Sequence, residues 1–285
     1  MHSSQPLSVI ISTYNRSDAL LATLKAFAQQ TDRNFEVVVA DDGSRDEHRR
    51  AVLDAPVSKD LGLTHVWHPD VGFTVAKARN RGVAASKYDY LVFVDGDCLP
   101  EVDFIAQHKK LAQVGCMVNG SRVLLSPGLT QRVVDGIEQA WGRSAWYWVS
   151  RRLRGECNKL THLLRLSDGP RRLERGFRWK GIRGCNMGVW RADYERVDGY
   201  DESFTGWGHE DADVVLRLHH AGIARKNGFC ATEVFHLWHK EAARGQESVN
   251  AQVVRDRILS GQVRATAGYS QVRHPDDLVI TRLGS

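Results

Sequence analysis

Long apolar runs, cysteine pairs and repeats are all missing from this chain of 285 residues. No stretch approaches the roughly eighteen consecutive apolar residues that indicate a membrane-spanning helix. The five cysteines are odd in number, widely spaced and without a Cys-x-x-Cys pair, which argues against a disulfide framework and against a zinc site. No internal repeat or low-complexity segment is evident.

A secretory signal is also absent from the start of the sequence, where residues 1–6 lead directly into the first apolar run. We therefore expect a cytoplasmic protein. The hydrophobic content of 42% is ordinary for a globular enzyme, and the length allows one large domain with a sizeable core.

Basic residues are concentrated in one segment rather than spread along the chain. The net charge is +5, yet residues 143–183 hold twelve Lys or Arg and three acidic residues. Such a segment with neighbouring aromatics predicts contact with anionic headgroups or with a phosphate-bearing acceptor. The alternative is a solvated insert whose tryptophans belong to the core. We expect no nucleic-acid partner, because no recognised nucleic-acid module accompanies the charge. The aromatics are Trp141, Trp146, Tyr147 and Trp148.

Apolar runs in the N-terminal half alternate with segments of helical periodicity. Each run ends in a short polar loop, and this order predicts a parallel sheet with helical crossovers. The runs cover residues 7–11, 35–40, 63–67 and 90–94.

The run at 91–98, Leu-Val-Phe-Val-Asp-Gly-Asp-Cys, is the most informative of them. It predicts a buried strand that delivers Asp95 and Asp97 to its open end, where α/β sheets bind ligands. Two carboxylates so close together are most easily kept ionised by a divalent cation or by nearby hydrogen-bond donors. An acidic turn without a ligand is the alternative, since Asp-Gly is common turn chemistry.

Several ordered motifs together resemble the family 2 glycosyltransferases. They are Val-Ile-Ile-Ser-Thr-Tyr-Asn-Arg at 9–16, Asp-Asp-Gly-Ser at 41–44, Ala-Arg-Asn-Arg-Gly at 78–82 and Asp-Gly-Asp at 95–97. Gly-Cys-Asn-Met-Gly at 184–188 and Gly-Trp-Gly-His-Glu-Asp-Ala-Asp at 206–213 resemble the acceptor-side motifs of inverting galactosyl- and N-acetylhexosaminyltransferases. The resemblance covers residues 7–240, except a segment at 125–180 that we place outside it.

The resemblance implies an α/β protein of the GT-A fold, with a Rossmann-like nucleotide half and a mixed, mainly parallel sheet between helices. We predict a GT-A domain over residues 1–245, divided into a donor half (1–122) and an acceptor half (123–245). The basic, aromatic insert at 141–183 belongs to the acceptor half. Residues 246–285 are predicted to form a tail that packs on the domain.

The resemblance implies that nucleotide-binding residues lie at the strand ends. Asp42 would accept a hydrogen bond from the imide N–H of uracil, which favours UDP; the alternative is a turn or helix-capping aspartate. Thr13, Tyr14 and Arg16 follow the first strand, and Tyr14 is open to a second interpretation as an aromatic that caps the sheet. Arg79, on a helix starting near Thr74, would face nucleotide oxygens.

For the metal, the resemblance implies that Asp97 binds Mn²⁺ or Mg²⁺ while Asp95 contacts the ribose. The ion would neutralise the departing diphosphate. His236 is the first choice for a histidine ligand and His239 is its alternative, although a histidine between apolar residues is often structural. One imidazole beside one carboxylate favours Mn²⁺ over Mg²⁺.

By motif position, Asp211 is the general base of an inverting transfer, with Glu210 beside it. Acidic residues are also favoured at a helix start by the helix dipole alone. Trp207, Gly208 and Asn186 are predicted on the acceptor and sugar side. His209 stands where the family more usually has glycine, which leaves the sugar specificity open.

The resemblance implies transfer of a hexose or N-acetylhexosamine from a UDP-sugar to a hydroxyl of a cell-envelope or polysaccharide glycan. The basic segment adds the expectation that this glycan is lipid-linked and that the enzyme contacts an anionic membrane peripherally. Two other functions stay open at this point. One is a nucleotidyltransferase of the same fold type, although the loop after the first strand lacks the expected glycine-rich, lysine-bearing sequence. The other is a non-catalytic nucleotide- or glycan-binding protein.

Overall fold

The computed structural model describes residues 5–174, 176–179, 181–204, 206–240, 247–272 and 278–284. Its strands are β1 (Leu7–Thr13), β2 (Phe35–Asp41), β3 (Thr64–Trp67), β4 (Tyr90–Asp95), β5 (Cys98–Pro100), β6 (Cys116–Asn119), β7 (Arg122–Leu124), β8 (Leu173–Glu174), β9 (Asn186–Trp190), β10 (Ala224–Asn227), β11 (Val234–His236) and β12 (Val279–Arg282).

Helices connect and cover these strands. They are α1 (Ser17–Phe27), α2 (Asp46–Leu53), α3 (Pro56–Asp60), α4 (Val75–Ala85), α5 (Phe104–Leu111), α6 (Pro127–Val134), α7 (Ala145–Leu153), α8 (Arg191–Arg196), α9 (Glu210–His220) and α10 (Glu247–Ser260). Short 3₁₀ turns lie at Thr161–Leu163, Pro170–Arg172 and Tyr269–Gln271.

The main sheet contains nine strands among the described residues, in the order β12-β3-β2-β1-β4-β9-β6-β10-β8. Strands β3, β2, β1 and β4 form a parallel block, and β9 joins it antiparallel to β4. In this register Thr13 lies opposite Asp41 and Ser12 lies opposite Asp95, so the polar ends of three strands meet at one edge. The four apolar runs of the N-terminal half are confirmed as strands of an α/β sheet.

Both faces of the parallel block are buried, because alternate residues of each strand point to opposite sides. On β1, Ile10 packs with Phe93, Met187 and residues of α4, α8 and α9. Val9 and Ile11 pack on the other side with residues of α1 and α5. Burial on both faces explains why these strands read as continuous apolar runs in the sequence.

A second sheet, in the order β5-β11-β7, follows directly from the acidic end of β4. Its residues Leu99, Val123 and Phe235 form a core with Trp148 of α7 and Leu129 of α6. Strand β11 pairs antiparallel with β5, so His236 lies opposite Cys98. This pairing carries a segment from late in the chain to the strand end that bears Asp97.

The C-terminal segment contacts both halves of the molecule. Helix α10 packs on α9 through Val254, which shares a core with Phe204 and Leu216. Strand β12 then extends the main sheet beside β3. The domain boundary at residue 245 stays a prediction. In the part of the chain that the structure describes, no helix combines the length and the apolar character needed to span a membrane.

Candidate active site

Asp95 ends β4 at the polar edge of the sheet, and two neighbours fix its carboxylate. Ser12 Oγ donates to Asp95 Oδ1 over 2.8 Å, and Arg79 Nη2 donates to the same oxygen over 2.9 Å. Burial acts to raise the pKa of Asp95, but the charge of Arg79 and the two hydrogen bonds outweigh it and hold the pKa below its usual value. This carboxylate is therefore ionised at neutral pH.

Arg79 connects the end of β4 to the start of α9. It projects from α4, is only 4% exposed, and places Nη1 3.5 Å from Glu210 Oε1 while Nη2 binds Asp95. Its guanidinium carbon lies 4.9 Å from the centre of the Tyr200 ring. Burial acts to lower the pKa of Arg79, yet Tyr200, Asp95 and Glu210 raise it, so the cation persists. One buried cation thus holds carboxylates from both halves together.

Asp97 lies two residues beyond Asp95 and meets two imidazoles. His236 Nε2 is 3.8 Å from Asp97 Oδ1, and His239 Nε2 is 3.3 Å from Asp97 Oδ2. The two rings have centroids 5.2 Å apart. The structure therefore brings both histidines, offered as alternatives by the resemblance, to the same carboxylate.

The donor groups around Asp97 fit a divalent cation. Ligand atoms of Asp97, His236 and Cys98 lie within 4.8 Å of one another. Burial lowers the pKa of His236, so its ring is neutral near pH 7, as a metal ligand must be. Burial and the neighbouring Cys185 raise the pKa of the Cys98 thiol, which makes it a poor ligand. Asp97 with one of the two imidazoles is the better donor set, and this combination of oxygen and nitrogen ligands fits a divalent metal ion.

Asp42 lies buried beside the start of α4. Its carboxylate accepts hydrogen bonds from the backbone N–H of Thr74, over 2.8 Å, and from the Thr74 hydroxyl. His68 Nε2 is 3.4 Å from Asp42 Oδ1. These contacts are long-range, since Thr74 precedes α4 and lies 32 residues beyond Asp42, whereas the local turn bond, from the N–H of Ser44, goes to Asp41. A carboxylate offers about four lone-pair sites, so these contacts leave capacity for one more donor.

Of the residues at and after the end of β1, Thr13 lies beside Asp42, whereas Tyr14 and Arg16 lie nearer the surface. Thr13 ends the strand, and its carbonyl accepts from the backbone N–H of Asp42. Tyr14 is about half exposed and donates from its hydroxyl to Asp70 Oδ2 over 2.8 Å. Arg16 precedes α1 and binds Asp18 over 3.0 Å, away from the carboxylates described above. The structure does not bring Arg16 into contact with them.

Glu210 and Asp211 begin α9 and have different surroundings. Glu210 Oε2 is buried without a hydrogen-bond partner among the described residues. Burial, reinforced by the charge of Asp211, raises the pKa of Glu210 to about 7. Asp211 accepts from the backbone N–H of Gly184 over 3.0 Å and from that of Ala212 over 2.7 Å. Two backbone donors thus fix the orientation of the Asp211 carboxylate.

Gly184 lies so close to Asp211 that this position has little room for a side chain. A Cβ atom there would lie 3.0 Å from Asp211 Cβ and 3.4 Å from Arg79 Nη2. The first glycine of the 184–188 motif therefore allows the backbone N–H to reach the carboxylate of the second motif.

The loop before α9 has left-handed backbone at Gly206 (φ +70°), Gly208 (φ +109°) and His209 (φ +72°). A side chain is disfavoured at φ > 0, which explains why glycine is the more usual residue at the position of His209. The His209 ring packs edge-on against Trp179, with centroids 5.1 Å apart. Trp207, 37% exposed, lies in the same loop. This loop therefore carries a partly exposed indole in the segment directly before Glu210 and Asp211.

Asn186, predicted on the acceptor side, is completely buried. Its amide donates to the carbonyls of Thr232 and Ser121, and its oxygen is 3.1 Å from His108 Nε2. It ties β9 to neighbouring segments, and the structure does not place its side chain at the surface of the site.

The aromatic insert also differs from its predicted role. Trp148 is fully buried and stacks on Phe235 at 4.5 Å, and Trp141 is buried in the same core. Trp146 is 82% exposed. The core alternative therefore holds for Trp141 and Trp148, whereas Trp146 lies at the surface.

Sequence reasoning missed two residues at the site. Tyr200 supports the Arg79 guanidinium. Burial acts to lower the pKa of Arg122 on β7, but the neighbouring Cys185, Cys98 and Asp95 raise it. Neither belongs to a short motif, so only the pairing of β7 with β11 and the packing of Tyr200 on Phe93 reveal them.

Two protein-family models match this chain. Residues 8–164 match the model described as Glycosyl transferase family 2, and residues 165–240 match the model described as N-terminal domain of galactosyltransferase. These matches confirm the resemblance. The exclusion of residues 125–180 was wrong, because the two matched ranges run continuously through them.

Curated relatives match a large part of the chain. It is 33% identical over 231 residues to validoxylamine A glucosyltransferase of Streptomyces hygroscopicus subsp. jinggangensis, covering 76% of this chain and 52% of that protein. It is 29% identical over 240 residues to chondroitin synthase of Escherichia coli, covering 76% and 32% respectively. The chain thus spans about half of the first relative and about a third of the second.

Solved structures show the same fold. A mannosyltransferase, PcManGT from Pyrobaculum calidifontis in complex with GDP-Man and Mn²⁺, matches with a TM-score of 0.57 and 20% identity, over 90% of this chain and 68% of that one. GalNAc-T7 with UDP, GalNAc and Mn²⁺ matches with a TM-score of 0.57 and 16% identity, over 85% and 44%. Together with the family match over more than half of its length, these similarities show that the chain belongs to glycosyltransferase family 2 and has the GT-A fold.

Proposed function

We propose that this protein is an inverting, metal-dependent glycosyltransferase that moves a hexose or N-acetylhexosamine from a UDP-sugar to a hydroxyl of a cell-envelope or polysaccharide glycan. The observation that carries the proposal is the position of Arg79, which contacts Asp95 on the donor side and Glu210 on the acceptor side. Donor and acceptor carboxylates thereby face one site. Family 2 membership argues against the nucleotidyltransferase alternative.

Asp97 and His236, with His239 as the alternative histidine, are the residues that would hold Mn²⁺ or Mg²⁺. Bound there, the ion supplies positive charge that stabilises the departing diphosphate. The similar structures with Mn²⁺ support a divalent metal. Asp95 stays paired with Arg79 and Ser12, which leaves it to contact the ribose while Asp97 faces the metal.

UDP is the nucleotide we favour. The similar structures hold GDP-Man in one case and UDP in the other, so the fold alone does not choose between them. Asp42 fits UDP, because a carboxylate accepts the imide N–H of uracil; this contact disfavours cytosine and adenine, which lack such a ring donor, whereas guanine and thymine also carry one. Thr13 and Tyr14 flank this position at the end of β1, and Tyr14 offers an aromatic face to the base.

Asp211 acts as the general base in this proposal. Its carboxylate, fixed by the N–H groups of Gly184 and Ala212, takes the proton of the acceptor hydroxyl as that oxygen attacks the anomeric carbon. Attack comes from the side opposite the departing diphosphate, which inverts the configuration. Glu210 lies beside it and Trp207 provides an aromatic surface for a sugar face.

We further propose that the acceptor is lipid-linked and that the enzyme binds peripherally to the cytoplasmic face of an anionic membrane. Trp146 and Leu153 lie seven residues apart on α7 and are 82% and 83% exposed. Arg152 and Arg154 beside them are exposed as well. Arg151, by contrast, pairs with Glu138 and Glu156 and serves the fold.

Sedimentation with phosphatidylglycerol-containing liposomes tests the membrane contact. The variant carrying Trp146→Ser, Arg152→Gln and Arg154→Gln should lose binding at low salt. The control carrying Arg171→Gln and Arg178→Gln, two exposed arginines elsewhere in the insert, should keep it. Equal binding by both variants and the wild type would remove the membrane from the proposal.

Thermal stabilisation by nucleotides tests the transferase proposal itself. UDP, GDP, dTDP and CDP are compared with and without Mn²⁺, since a ligand at a hundred times its Kd adds about 2.7 kcal/mol to the free energy of unfolding. We expect a shift with UDP that needs Mn²⁺, and slow Mn²⁺-dependent release of UDP from a UDP-sugar. A shift without any hydrolysis would favour the non-catalytic binding protein, and a shift with GDP instead would overturn the donor assignment.

A further inference from the structure

Helix α10 reaches the loop that precedes the proposed base. Asn250 Nδ2 donates a hydrogen bond of 2.9 Å to the carbonyl oxygen of Gly208, in a buried position. Gly208 belongs to the 206–209 loop, which lies outside regular strands and helices and has left-handed backbone at three residues. A buried carbonyl in such a loop requires a partner from elsewhere in the chain. Asn250 supplies it from 42 residues further along.

The same helix also fixes the first turn of α9. Arg257 Nη1 donates to Asp213 Oδ1 over 2.6 Å, and its Nη2 donates to Asp201 Oδ2 over 2.6 Å. Asp213 follows Asp211 by two residues, is completely buried and also binds Arg217 over 2.8 Å. Buried charges in such a network hold one geometry, because each loses its solvation unless its partners stay in place.

Asn250, Val254 and Arg257 lie on one face of α10, since they are spaced four and three residues apart. All three are buried, whereas Gln252, Arg255 and Asp256 on the opposite face are exposed. The inner face therefore presents an amide, an apolar side chain and a cation to three successive parts of the acceptor side: the 206–209 loop, the Phe204–Leu216 core and the start of α9.

We propose that Asn250 is a positioning residue, and that α10 holds the 206–209 loop and the first turn of α9 in the conformation that presents Asp211 to the acceptor hydroxyl. The catalytic part of this inference rests on the proposed function, because it takes Asp211 as the base. The structural part does not.

Two variants of Asn250 and one control separate positioning from packing. Asn250→Ala removes the amide and its volume. Asn250→Asp keeps the volume but replaces the donor by an acceptor that faces the Gly208 carbonyl, so repulsion is added to the lost hydrogen bond. Gln252→Ala alters an exposed side chain of the same helix that bonds to Asp256 within that helix.

Hydrogen–deuterium exchange of peptides covering 206–212 reports on the loop without any ligand. We expect exchange about tenfold faster in Asn250→Ala, faster still in Asn250→Asp, and unchanged in Gln252→Ala, since one hydrogen bond contributes up to about a factor of ten. Peptides covering β1 should not change. If Asn250→Asp exchanges at the wild-type rate, the hydrogen bond to Gly208 does not hold the loop and the proposal is overturned. This conclusion holds whether or not Asn250→Ala exchanges faster, because faster exchange in that variant alone would show that the side chain only fills space.

Kinetics then tests the catalytic part, with UDP plus Mn²⁺ for the donor site and the p-nitrophenyl hexoside that the wild type glycosylates best as acceptor. We expect both Asn250 variants to raise the acceptor KM or lower kcat by about tenfold, while the Kd of UDP with Mn²⁺ stays unchanged. If the affinity for UDP with Mn²⁺ falls as much as the acceptor kinetics, the variants are damaged in general and the positioning role is contradicted. Failure of the wild type to bind UDP with Mn²⁺ would refute the proposed function and leave the exchange result to decide the role of α10.

Discussion

Residues 7–122 place their polar side chains at the ends of neighbouring parallel strands, whereas the acceptor half places its carboxylates on a loop and a helix that distant segments hold. In the donor half, Asp41, Asp95 and Thr13 meet because strand register alone brings them together. In the acceptor half, Asp211 is fixed by Gly184 and the preceding loop by Asn250. Backbone pairing thus builds one side of the site, and long-range side-chain contacts build the other.

This difference has a consequence for variants. A change at a strand end should affect the ligand that binds there and leave the sheet intact. A change on the acceptor side should affect transfer while nucleotide binding continues. Four substitutions, taken from the largest expected effect to the smallest, test whether the two halves are separable in this way.

Asp97→Ala is expected to have the largest effect, because it removes the carboxylate between His236 and His239. Mn²⁺-dependent binding of UDP should disappear, and transfer should fall by about a thousandfold or more, as expected when several kcal/mol of metal stabilisation are lost. Calorimetric titration with UDP and Mn²⁺ measures the first result. Asp46→Ala, at an exposed position on α2, is the control. Retained Mn²⁺-dependent affinity would place the metal elsewhere.

Asp211→Asn should separate the two halves most clearly. Transfer is expected to fall roughly 10²- to 10⁴-fold, the usual contribution of a general base, because an amide cannot take the acceptor proton. The affinity for UDP with Mn²⁺ should not change, since Asp211 lies on the acceptor side. Loss of nucleotide affinity in this variant would overturn the assignment of the base and the division of the site.

Gly184→Ala tests the contact between the two acceptor-side motifs. The added Cβ would lie 3.0 Å from Asp211 Cβ, so the carboxylate must move by a few tenths of an ångström. Because catalytic groups are sensitive to such displacements, transfer should fall by roughly 10- to 100-fold with UDP affinity unchanged. Gly128→Ala on α6, where the nearest atom is 3.7 Å away, should be tolerated. Full activity of Gly184→Ala would show that Asp211 adapts freely.

Glu210→Gln should have the smallest effect of the four, a change in the free energy of unfolding that depends on pH. The pKa of Glu210 is raised from 4.5 to about 7 by burial and by Asp211, while Arg79 opposes the shift and Asp95 and Tyr200 also face this group. The folded protein therefore holds the proton more tightly than the unfolded chain. Its contribution to stability is complete below about pH 4.5 and is lost as the pH rises through about 7.

A neutral glutamine keeps the uncharged form at every pH. Glu210→Gln should therefore stabilise the protein by about 2 kcal/mol near pH 8 and have little effect near pH 5, as measured by urea unfolding. Asp46→Asn, which changes an exposed carboxylate, should show no such trend. A pH-independent effect of Glu210→Gln would contradict the raised pKa.

The sequence predicted the strands of the N-terminal half well for a physical reason. Strand ends follow directly from apolar runs, so the places of Thr13, Asp42 and Asp95 are local properties. The start of α9 at Glu210 was predicted in the same way, from helical spacing after residue 210. The buried amide of Asn186 and the buried ring of Trp148 were harder to anticipate, because burial depends on which segments pack over a residue.

By itself, the sequence determined the alternation of strands and helices, the acidic end of β4 and the motifs of family 2, because each depends on a few neighbouring residues. Only the tertiary structure decided that His236 and His239 both reach Asp97, that Arg79 joins Asp95 to Glu210, and that α10 supports the 206–209 loop. These contacts join residues far apart in the chain. Their geometry follows from strand pairing and side-chain packing, which no local pattern of residues specifies.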